Sequence, residues 1–433
     1  MFLVWLAVEY GRPPNPMKIP YLVSLSFFAG WLLHSSKRWN PQIVLMLLFV
    51  GQTAMMIPFS ENTFTAAMVA REVFVVVAAI AVPVAHFIDT SKRVEIVFRV
   101  WICIFAYMAL IAVLNGGNGP GGAQHGVDEN YTALFMTVAI SFSFFAALTV
   151  RNVPIKVALY GAVALCVAAI VVGMSRGGFV GLVGVAAYCW WKSPGRIASL
   201  VGGMVAVALF LVFVPDSYMD EMRTIADTGE GTADARIKLW SIAVRMWLDS
   251  PLFGVGPGGF RWAMNAYKSV TEESMGSAMH VTHSLYFELL SEMGATGVLM
   301  WLGILYFDFR DTRFVSRLST RAQQRLRHET GGRFTPLQRI RMRRLRNADA
   351  WSSAMMAALI GFLLCSLFLS TLYYTMFWLL TAMIVALREA TVREAALLRQ
   401  STGDPRRAAR DPGNALEIQP KRPPAALSGL LGR

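Results

Sequence analysis

The chain has 433 residues, of which 55% are hydrophobic and only 15% are charged. Soluble domains carry about 25% charged residues, so this composition excludes an ordinary soluble protein. The net charge of +13 is concentrated: twelve arginines lie between Arg310 and Arg346, and nine lysines and arginines lie from Arg388 to the C-terminus. Basic segments beside apolar helices are typical of the cytoplasmic side of membrane proteins, where they contact anionic membrane lipids, and they do not indicate binding of nucleic acid.

Apolar runs long enough to cross about 30 Å of hydrocarbon recur along the chain, and they do not alternate as membrane strands do. Backbone groups in lipid must bond within their own segment, so we predict an all-α polytopic membrane protein of about 12 transmembrane helices. The predicted spans are 1–10, 20–33, 41–57, 67–88, 96–114, 131–150, 154–173, 178–191, 198–214, 284–306, 351–370 and 372–388.

Basic residues mark one side of this predicted bundle. They occupy alternate short loops, and this pattern places those loops and both chain ends in the cytoplasm. The basic residues of the short loops are Lys37, Arg38, Lys92, Arg93, Arg151, Lys192 and Arg196. The predicted domains are transmembrane helices 1–9 in 1–214, a long outer loop with helices in 215–283, helix 10 in 284–306, a basic cytoplasmic loop in 307–350, helices 11 and 12 in 351–388 and a disordered basic cytoplasmic tail in 389–433.

The long outer loop contains one predicted helix, Ala233–Leu248, because apolar residues recur there at helical spacing. Its expected buried stripe consists of Ile237, Trp240, Val244 and Trp247. Pro251 ends the helix, and the following run Gly254–Gly259 either forms a turn or offers its backbone amides to a phosphate.

Arginines on the predicted outer side are candidates for binding an anion. Arg176 lies between two apolar spans, where a guanidinium is costly and usually faces a partner or a cavity. Arg236 lies on the loop helix beside its apolar stripe, and Arg71 follows the start of another outer helix as a partner of Glu72 or of a lipid phosphate. Interfacial anchoring or solvation would also explain them, but two fixed cations with bidentate geometry suit a pyrophosphate.

Three further polar residues lie on this side. His283 opens a span, where it either accepts a proton near neutral pH or serves as a polar helix end. His280 makes a metal pair conceivable, but no carboxylate has a ligand spacing, so no metal and no other cofactor is predicted. Asp128 precedes another span as an expected helix cap, with Asn130 beside it.

Several short motifs occur in a defined order across roughly 128–300. They are Asp128-Glu-Asn-Tyr131, Ser175-Arg-Gly-Gly178, Arg236-Ile-Lys-Leu-Trp240, Pro251-Leu-Phe-Gly-Val-Gly-Pro-Gly-Gly-Phe260, His283-Ser-Leu-Tyr286 and Glu292-Met-Gly294 with Gly297. Together, inside a frame of apolar spans, they resemble the O-antigen ligase and polymerase family of bacterial membrane glycosyltransferases.

The resemblance implies transfer of a glycan from an undecaprenyl-pyrophosphate-linked donor to a hydroxyl acceptor, such as lipid A core. The reaction would take place on the periplasmic face of the bacterial inner membrane, without a metal or a nucleotide sugar. By motif, His283 would be the base, and Arg176 and Arg236 would hold the pyrophosphate. The further candidates for substrate binding are Arg71, Asn130, Arg261, Tyr286 and Glu292.

Three alternatives follow from the same residues. A polymerase of this fold would extend the glycan, and a protein O-oligosaccharyltransferase would move it to a protein hydroxyl. A transporter of the lipid-linked glycan would carry out no chemistry, but transporters place ionisable residues near the midplane on broken helices. Here the candidates cluster at one predicted face, which favours an enzyme.

Overall fold

The computed structural model describes residues 1–11, 19–120, 128–197, 231–269 and 279–401, and its regular elements in these ranges are all helices. They are α1 (Phe2–Gly11), α2 (Ile19–Leu32), α3 (Pro41–Met55), α4 (Thr63–Val73), a π-helix (Phe74–Ala81), α5 (Val82–Phe87), α6 (Ser91–Leu114), α7 (Glu129–Thr149), α8 (Val153–Val172), α9 (Arg176–Lys192), α10 (Gly231–Asp249), α11 (Phe260–Ala263), α12 (Leu285–Thr330), α13 (Pro336–Cys365) and α14 (Thr375–Gln400), with short 3-10 turns at Ile57–Phe59 and Met264–Tyr267.

Seven helices in the described ranges are long and apolar enough to cross a membrane, so the protein is a multi-pass membrane protein. They are Thr63–Phe87, Ser91–Leu114, Glu129–Thr149, Val153–Val172, Leu285–Thr330, Pro336–Cys365 and Thr375–Gln400. Shorter apolar helices lie at Phe2–Gly11, Pro20–Leu32 and Pro41–Met55, and the predicted span 178–191 falls on the 17-residue α9. The predicted span 198–214 lies outside the described residues, so the number twelve stays a prediction.

Helices α7, α9 and α13 form a tightly packed centre. The most apolar part of α7 is 83% buried inside the protein, compared with 17% for that of α8, which therefore lies at the periphery. A side-chain carbon at Gly181 would come within 2.3 Å of the Cys365 sulfur, and one at Gly361 within 2.7 Å of Val185. Small residues of this kind let membrane helices approach closely. This contact fixes the end of α13 against the start of α9, where the candidate site lies.

The basic segment 307–350 is helical. Helix α12 continues through it to Thr330 and ends at Gly331, whose φ of 56° suits a glycine. Thr335 and Gln338 form a reciprocal capping box at the start of α13, and Pro336 occupies the first helical position. The segment predicted as a basic loop is therefore a helical hairpin that prolongs two of the long helices.

The prediction of a disordered tail from residue 389 onward is wrong for residues 389–400, because these residues belong to α14. Glu394 on this helix is buried and forms ion pairs with Arg344 at 2.8 Å and with Arg341 at 3.5 Å. An apolar cluster of Leu326, Leu345, Ala395 and Leu398 closes the three-helix bundle. These contacts give the basic end of α14 a partner that composition alone does not reveal. Residues 402–433 lie outside the described part of the chain.

Candidate active site

The first turn of α9 presents Arg176 to the candidate site. Ser175 caps this helix by accepting a hydrogen bond from Gly178 N at 3.1 Å, and its hydroxyl donates to Asn130 Oδ1 at 2.8 Å. Asn130 lies in the first turn of α7, where Asp128 accepts bonds from the amides of Asn130 and Tyr131, so the predicted cap is confirmed. Ser175 thus links Asn130 on α7 to the start of α9, where Arg176 lies.

Arg176 occupies a position where the helix dipole disfavours a positive charge. It is half-buried and forms the first residue of α9, where the helix dipole places partial positive charge. A cation there is opposed by the dipole unless an anion is present. The helix terminus and the guanidinium both attract negative charge at this point.

Arg236 reaches the site because α10 packs with a different face than predicted. The buried residues of α10 are Leu239, Ile242, Ala243 and Met246, which pack on Phe260 and Met264. The predicted stripe is therefore wrong: Ile237 is 44% exposed, while the Trp240 indole donates to the Thr282 carbonyl at 3.0 Å and stacks on Phe287. The predicted helix itself is confirmed, with one extra turn at most at either end.

Phe368 joins the two arginine-bearing elements. The guanidinium of Arg236 lies over its ring, 5.9 Å from the centroid. A side-chain carbon at Gly177 would touch the same side chain at 3.4 Å, so the backbone next to Arg176 lies directly against it. The starts of α9 and α10 therefore meet across one aromatic ring.

His283 completes the cluster in a strained conformation. Its φ is 49°, and Met174, two residues before Arg176, has a φ of 48°. These are the only residues other than glycine with positive φ among those that the structure describes. Such backbone costs free energy and concentrates at functional positions. One strained residue is His283 itself, and the other lies two residues before Arg176.

The surroundings of His283 lower the pKa of its imidazole below the usual value. The protein partly desolvates the ring, which is the largest cause, and the positive charge of Arg236 acts in the same direction. The carboxylate of Asp128 has the opposite, weaker effect. The ring is therefore neutral at pH 7 and available as a proton acceptor.

The connection between α13 and α14, residues 366–374, was missed in the sequence. Predicted spans 351–370 and 372–388 left one residue for it, whereas α13 ends at Cys365 and α14 begins at Thr375. The carbonyl of Ser370 accepts from the Tyr131 hydroxyl at 2.9 Å, and the Ser370 hydroxyl lies 3.2 Å from that of Thr282. The polar interruption at Ser366, Ser370 and Thr371 is the only signal for it.

The Gly254–Gly259 run is a docking turn inserted into a break in α12. The helix is interrupted at Gly294, which has φ 61° and ψ −165°. The carbonyls of Ser291 and Glu292 therefore accept from amides of the turn, and not from the amides of residues 295 and 296 as in a regular helix. Val255 N donates to Ser291 O at 2.8 Å and Gly256 N to Glu292 O at 3.0 Å, while the amides of residues 295 and 296 donate to carbonyls of residues 251 and 252. Four bonds thus replace the two that the helix loses.

Glu292 secures this turn. Its two carboxylate oxygens accept from Gly258 N at 2.7 Å and Phe260 N at 3.1 Å, and the Tyr373 hydroxyl donates to it at 2.7 Å. Glu292 is buried, and these contacts make it a positioning residue for the turn and for the 366–374 connection. Because the turn's amides are engaged in these bonds, the alternative of a phosphate cradle finds no support here.

Replacement of Gly294 by alanine should undock the turn. The added carbon would lie 2.6 Å from Gly254 N and from the Leu252 backbone, in a φ region that alanine avoids. We expect a loss of about 2 kcal/mol or more of stability. Thermal unfolding of the purified protein measures it, with Gly51→Ala as the control because nothing lies within 4 Å of that position. Equal melting temperatures for the two variants would contradict the docking role.

The remaining predicted residues have partners outside the cluster. Arg71 is exposed, pairs with Glu72 at 3.0 Å and lies over the Tyr21 ring, so the predicted pairing with Glu72 is present. Arg261 lies on α11, where its charge acts on Glu292. The Tyr286 hydroxyl donates to the Leu363 carbonyl at 2.8 Å and thereby ties α12 to α13.

The cluster combines features needed for transfer from a phosphorylated donor. Arg176 and Arg236 can neutralise an anion, His283 can accept a proton, and both functions occur at one end of the bundle. In the described ranges, no group of three or more His, Cys, Asp or Glu residues could hold a metal ion. The basic helical hairpin lies toward the opposite end of α12, since the rise from Leu285, at the start of this helix, to Arg310 is about 38 Å.

Fold and cluster together define a multi-pass membrane protein with a cationic site at one end of its helices. The model of the O-antigen ligase family (Wzy_C) matches residues 161–302. This match confirms the family resemblance, and the chain carries the domain of the O-antigen ligase family, whose members include membrane glycosyltransferases of the ligase and polymerase type. The matched range contains Arg176, Arg236 and His283. No curated protein matches the chain.

Proposed function

We propose that this protein is a glycosyltransferase that moves a glycan from undecaprenyl pyrophosphate to an acceptor hydroxyl, of lipid A core or a similar molecule, on the periplasmic face of the inner membrane. The observation that carries the proposal is the convergence of three helix starts: Ser175 bonds Asn130, and Phe368 contacts both Arg236 and the backbone beside Arg176. Arg236 and Asp128 in turn act electrostatically on His283. Family membership supports the reaction class.

The proposed step needs one base and charge neutralisation. The acceptor oxygen attacks the anomeric carbon of the donor, and its proton passes to the imidazole of His283. The bond from that carbon to the pyrophosphate oxygen breaks, and its electron pair leaves with the carrier. Arg176, Arg236 and the N-terminus of α9 stabilise the charge that develops there. The carboxylate of Asp128 favours the imidazolium that forms.

The direct test is transfer in vitro. Purified protein in sealed proteoliposomes receives the purified undecaprenyl-pyrophosphate-linked glycan and its acceptor, with and without a chelator. We expect a glycosylated acceptor and free carrier pyrophosphate in both conditions. Movement of the donor across the bilayer without any product would instead indicate a transporter. Deletion of the gene separates the two enzyme types: loss of a ligase leaves full-length lipid-linked chains, and loss of a polymerase leaves single repeats.

The proposed orientation places the site in the periplasm and the basic hairpin in the cytoplasm, against anionic lipids. Single cysteines at residues 261 and 333, in a variant lacking the natural cysteines, should behave differently toward an impermeant thiol reagent in intact cells. The position on α11, in the segment proposed to be periplasmic, should be labelled, and the position in the hairpin should be labelled only after lysis. The reverse pattern would contradict the orientation and the lipid contact together.

A further inference from the structure

A layer of ion pairs crosses the bundle at the end away from the candidate site. Arg38 on the α2–α3 connection pairs with Glu389 on α14 at 3.2 Å. Asp311 on α12 pairs with Arg310 at 2.8 Å and with Arg388 on α14 at 3.5 Å. The chain beyond this layer carries the arginines of the helical hairpin, so the layer marks one edge of the hydrocarbon core.

Two helices are interrupted before they cross the membrane completely. Gln42 in the first turn of α3 donates to Asp311 at 2.9 Å, so α3 starts at the layer of ion pairs. This helix has 15 residues and rises about 21 Å to its end at Met55. α12 likewise rises about 21 Å from Arg310 to Thr296, directly after its break. Because a hydrocarbon core is about 30 Å thick and tilt only reduces these rises, both points lie about 9 Å or more inside the core.

The chain that leads into the docking turn shares this depth. The Gln52 side-chain amide near the end of α3 donates to the Met293 carbonyl beside the break at 2.7 Å, which joins the two interrupted helices. The amide and the hydroxyl of Thr296 donate to the Leu252 carbonyl at 3.1 Å and 2.8 Å. Leu252 therefore lies inside the hydrocarbon layer, on the same side of the membrane as the candidate site.

The same stretch of chain exposes apolar side chains. Leu248 is 65% exposed, Leu252 is 60% exposed and Phe253 is 40% exposed, and these three residues form what we call the apolar edge. Less than one helical turn beyond Thr296, Leu299 of α12 is 70% exposed. α12 is long and apolar enough to cross a membrane, so this exposed leucine faces lipid. The apolar edge continues that lipid-facing surface, and hydrocarbon covers it more favourably than water does.

The backbone near the apolar edge is paired as a segment in hydrocarbon must be. Irregular backbone at membrane depth is tolerated only where protein or enclosed water supplies partners for its polar groups. The Pro251 carbonyl accepts from Ala295 N at 2.8 Å and from the Trp247 indole at 3.2 Å. Gly254 N donates to Ser250 O at 3.0 Å. Above the membrane, bulk water would supply such partners, and this pairing would be unnecessary.

We propose that the segment from Leu248 to the docking turn is inserted into the membrane, and that its apolar edge binds the acyl chains of the lipid leaflet on the side of the candidate site. The occupant of this surface is bilayer hydrocarbon and not a partner protein. The contact anchors one end of α10 in the leaflet, while Arg236 lies near the other end of the same helix. The proposal concerns the position of the protein in the bilayer and does not depend on the proposed reaction.

Single spin labels measure the depth of the apolar edge in the full-length protein, reconstituted in vesicles of phosphatidylethanolamine and phosphatidylglycerol. The labels are attached to Leu252→Cys and Phe253→Cys in a variant that lacks the natural cysteines. Relaxation by oxygen, which concentrates in hydrocarbon, is compared with relaxation by a water-soluble nickel complex. Leu299→Cys is the lipid control, and Ala266→Cys, exposed on the 3-10 turn Met264–Tyr267, is the water control.

The ratio of oxygen to nickel relaxation at positions 252 and 253 should match that at position 299 and exceed that at position 266, which corresponds to a depth of about 9 Å or more. Ratios at 252 and 253 equal to that at 266 would overturn the proposal.

Charge provides a second measurement that needs no label. Leu252→Asp places an ion in hydrocarbon and should lower the amount of folded protein recovered from membranes. Asn265→Asp, at an exposed position on the 3-10 turn, is the matched control and should not lower it. Equal recovery of the two variants would also overturn the proposal. Either failure leaves the proposed function intact, because neither measurement uses glycan transfer.

Discussion

His283→Ala should abolish most of the transfer while the protein still binds the lipid-linked donor. Loss of a general base typically lowers the rate by about 10²- to 10⁴-fold. Donor binding should persist because the arginines, and not the imidazole, hold the pyrophosphate. The matched control is His280→Ala, three residues away, which should retain most activity. Radiolabelled glycan transfer measures the rates at equal amounts of folded protein.

The pH dependence of the wild type follows from the same residue. The imidazole acts as a base in its neutral form, and its pKa lies below the ordinary value of about 6.5. Activity should therefore fall with decreasing pH along an acid limb whose midpoint lies below that ordinary value, as protonation removes the base. Arg236→Gln should move this fall toward higher pH, because the cation that lowers the His283 pKa is removed. An acid limb that is identical in the two proteins would contradict the proximity of these residues.

Replacement of Arg176 or Arg236 by alanine should lower transfer by about 10²- to 10³-fold, the usual effect of removing one group that stabilises developing charge. Lysine at either position keeps the charge but loses the planar, bidentate geometry, so intermediate activity is expected. Both arginines act before and during bond cleavage, so their alanine variants should also bind the donor more weakly.

Lys238→Gln is the matched control for Arg236. Lys238 lies on the same helix and forms an ion pair with Asp234 at 2.7 Å. Its replacement removes one positive charge from α10 without affecting the Phe368 contact, and activity should stay within about twofold. Equal losses in Lys238→Gln and Arg236→Ala would indicate a general effect of charge. Full activity of Arg176→Ala and Arg236→Ala would mean that the pyrophosphate binds elsewhere.

The sequence predicted the parts of the site that depend on local patterns. The cap at Asp128 and the helix over Ala233–Leu248 follow from residue type and spacing, and both are present. The buried face of that helix was predicted wrongly because Trp240 bonds to the carbonyl of Thr282, and a backbone acceptor leaves no signal in the sequence. The 366–374 connection was missed because its polar residues are few and lie within an apolar stretch, and because one of its principal contacts is made by a backbone group, the carbonyl of Ser370.

Other features depend on distant partners. The break at Gly294 and the turn at Gly254 explain each other, but about forty residues of chain separate them, and neither alone predicts the exchange of hydrogen bonds. The helical hairpin, by contrast, had a local signal. Thr335 and Gln338 have the spacing of a capping box, with Pro336 between them, and arginine favours helix. The high net charge obscures this signal, because a run of arginines is also typical of a cytoplasmic loop.

In the proposed mechanism the cluster has two separate functions: the arginines bind the pyrophosphate, and His283 activates the acceptor. The most direct test measures donor binding and transfer side by side, using purified undecaprenyl-pyrophosphate-linked glycan and nanodisc-embedded variants. We expect His283→Ala to bind the donor like the wild type but transfer at least about 100-fold more slowly. Arg176→Ala and Arg236→Ala should lose both binding and transfer. Near wild-type transfer by His283→Ala, or undiminished donor binding by both arginine variants, would contradict the account.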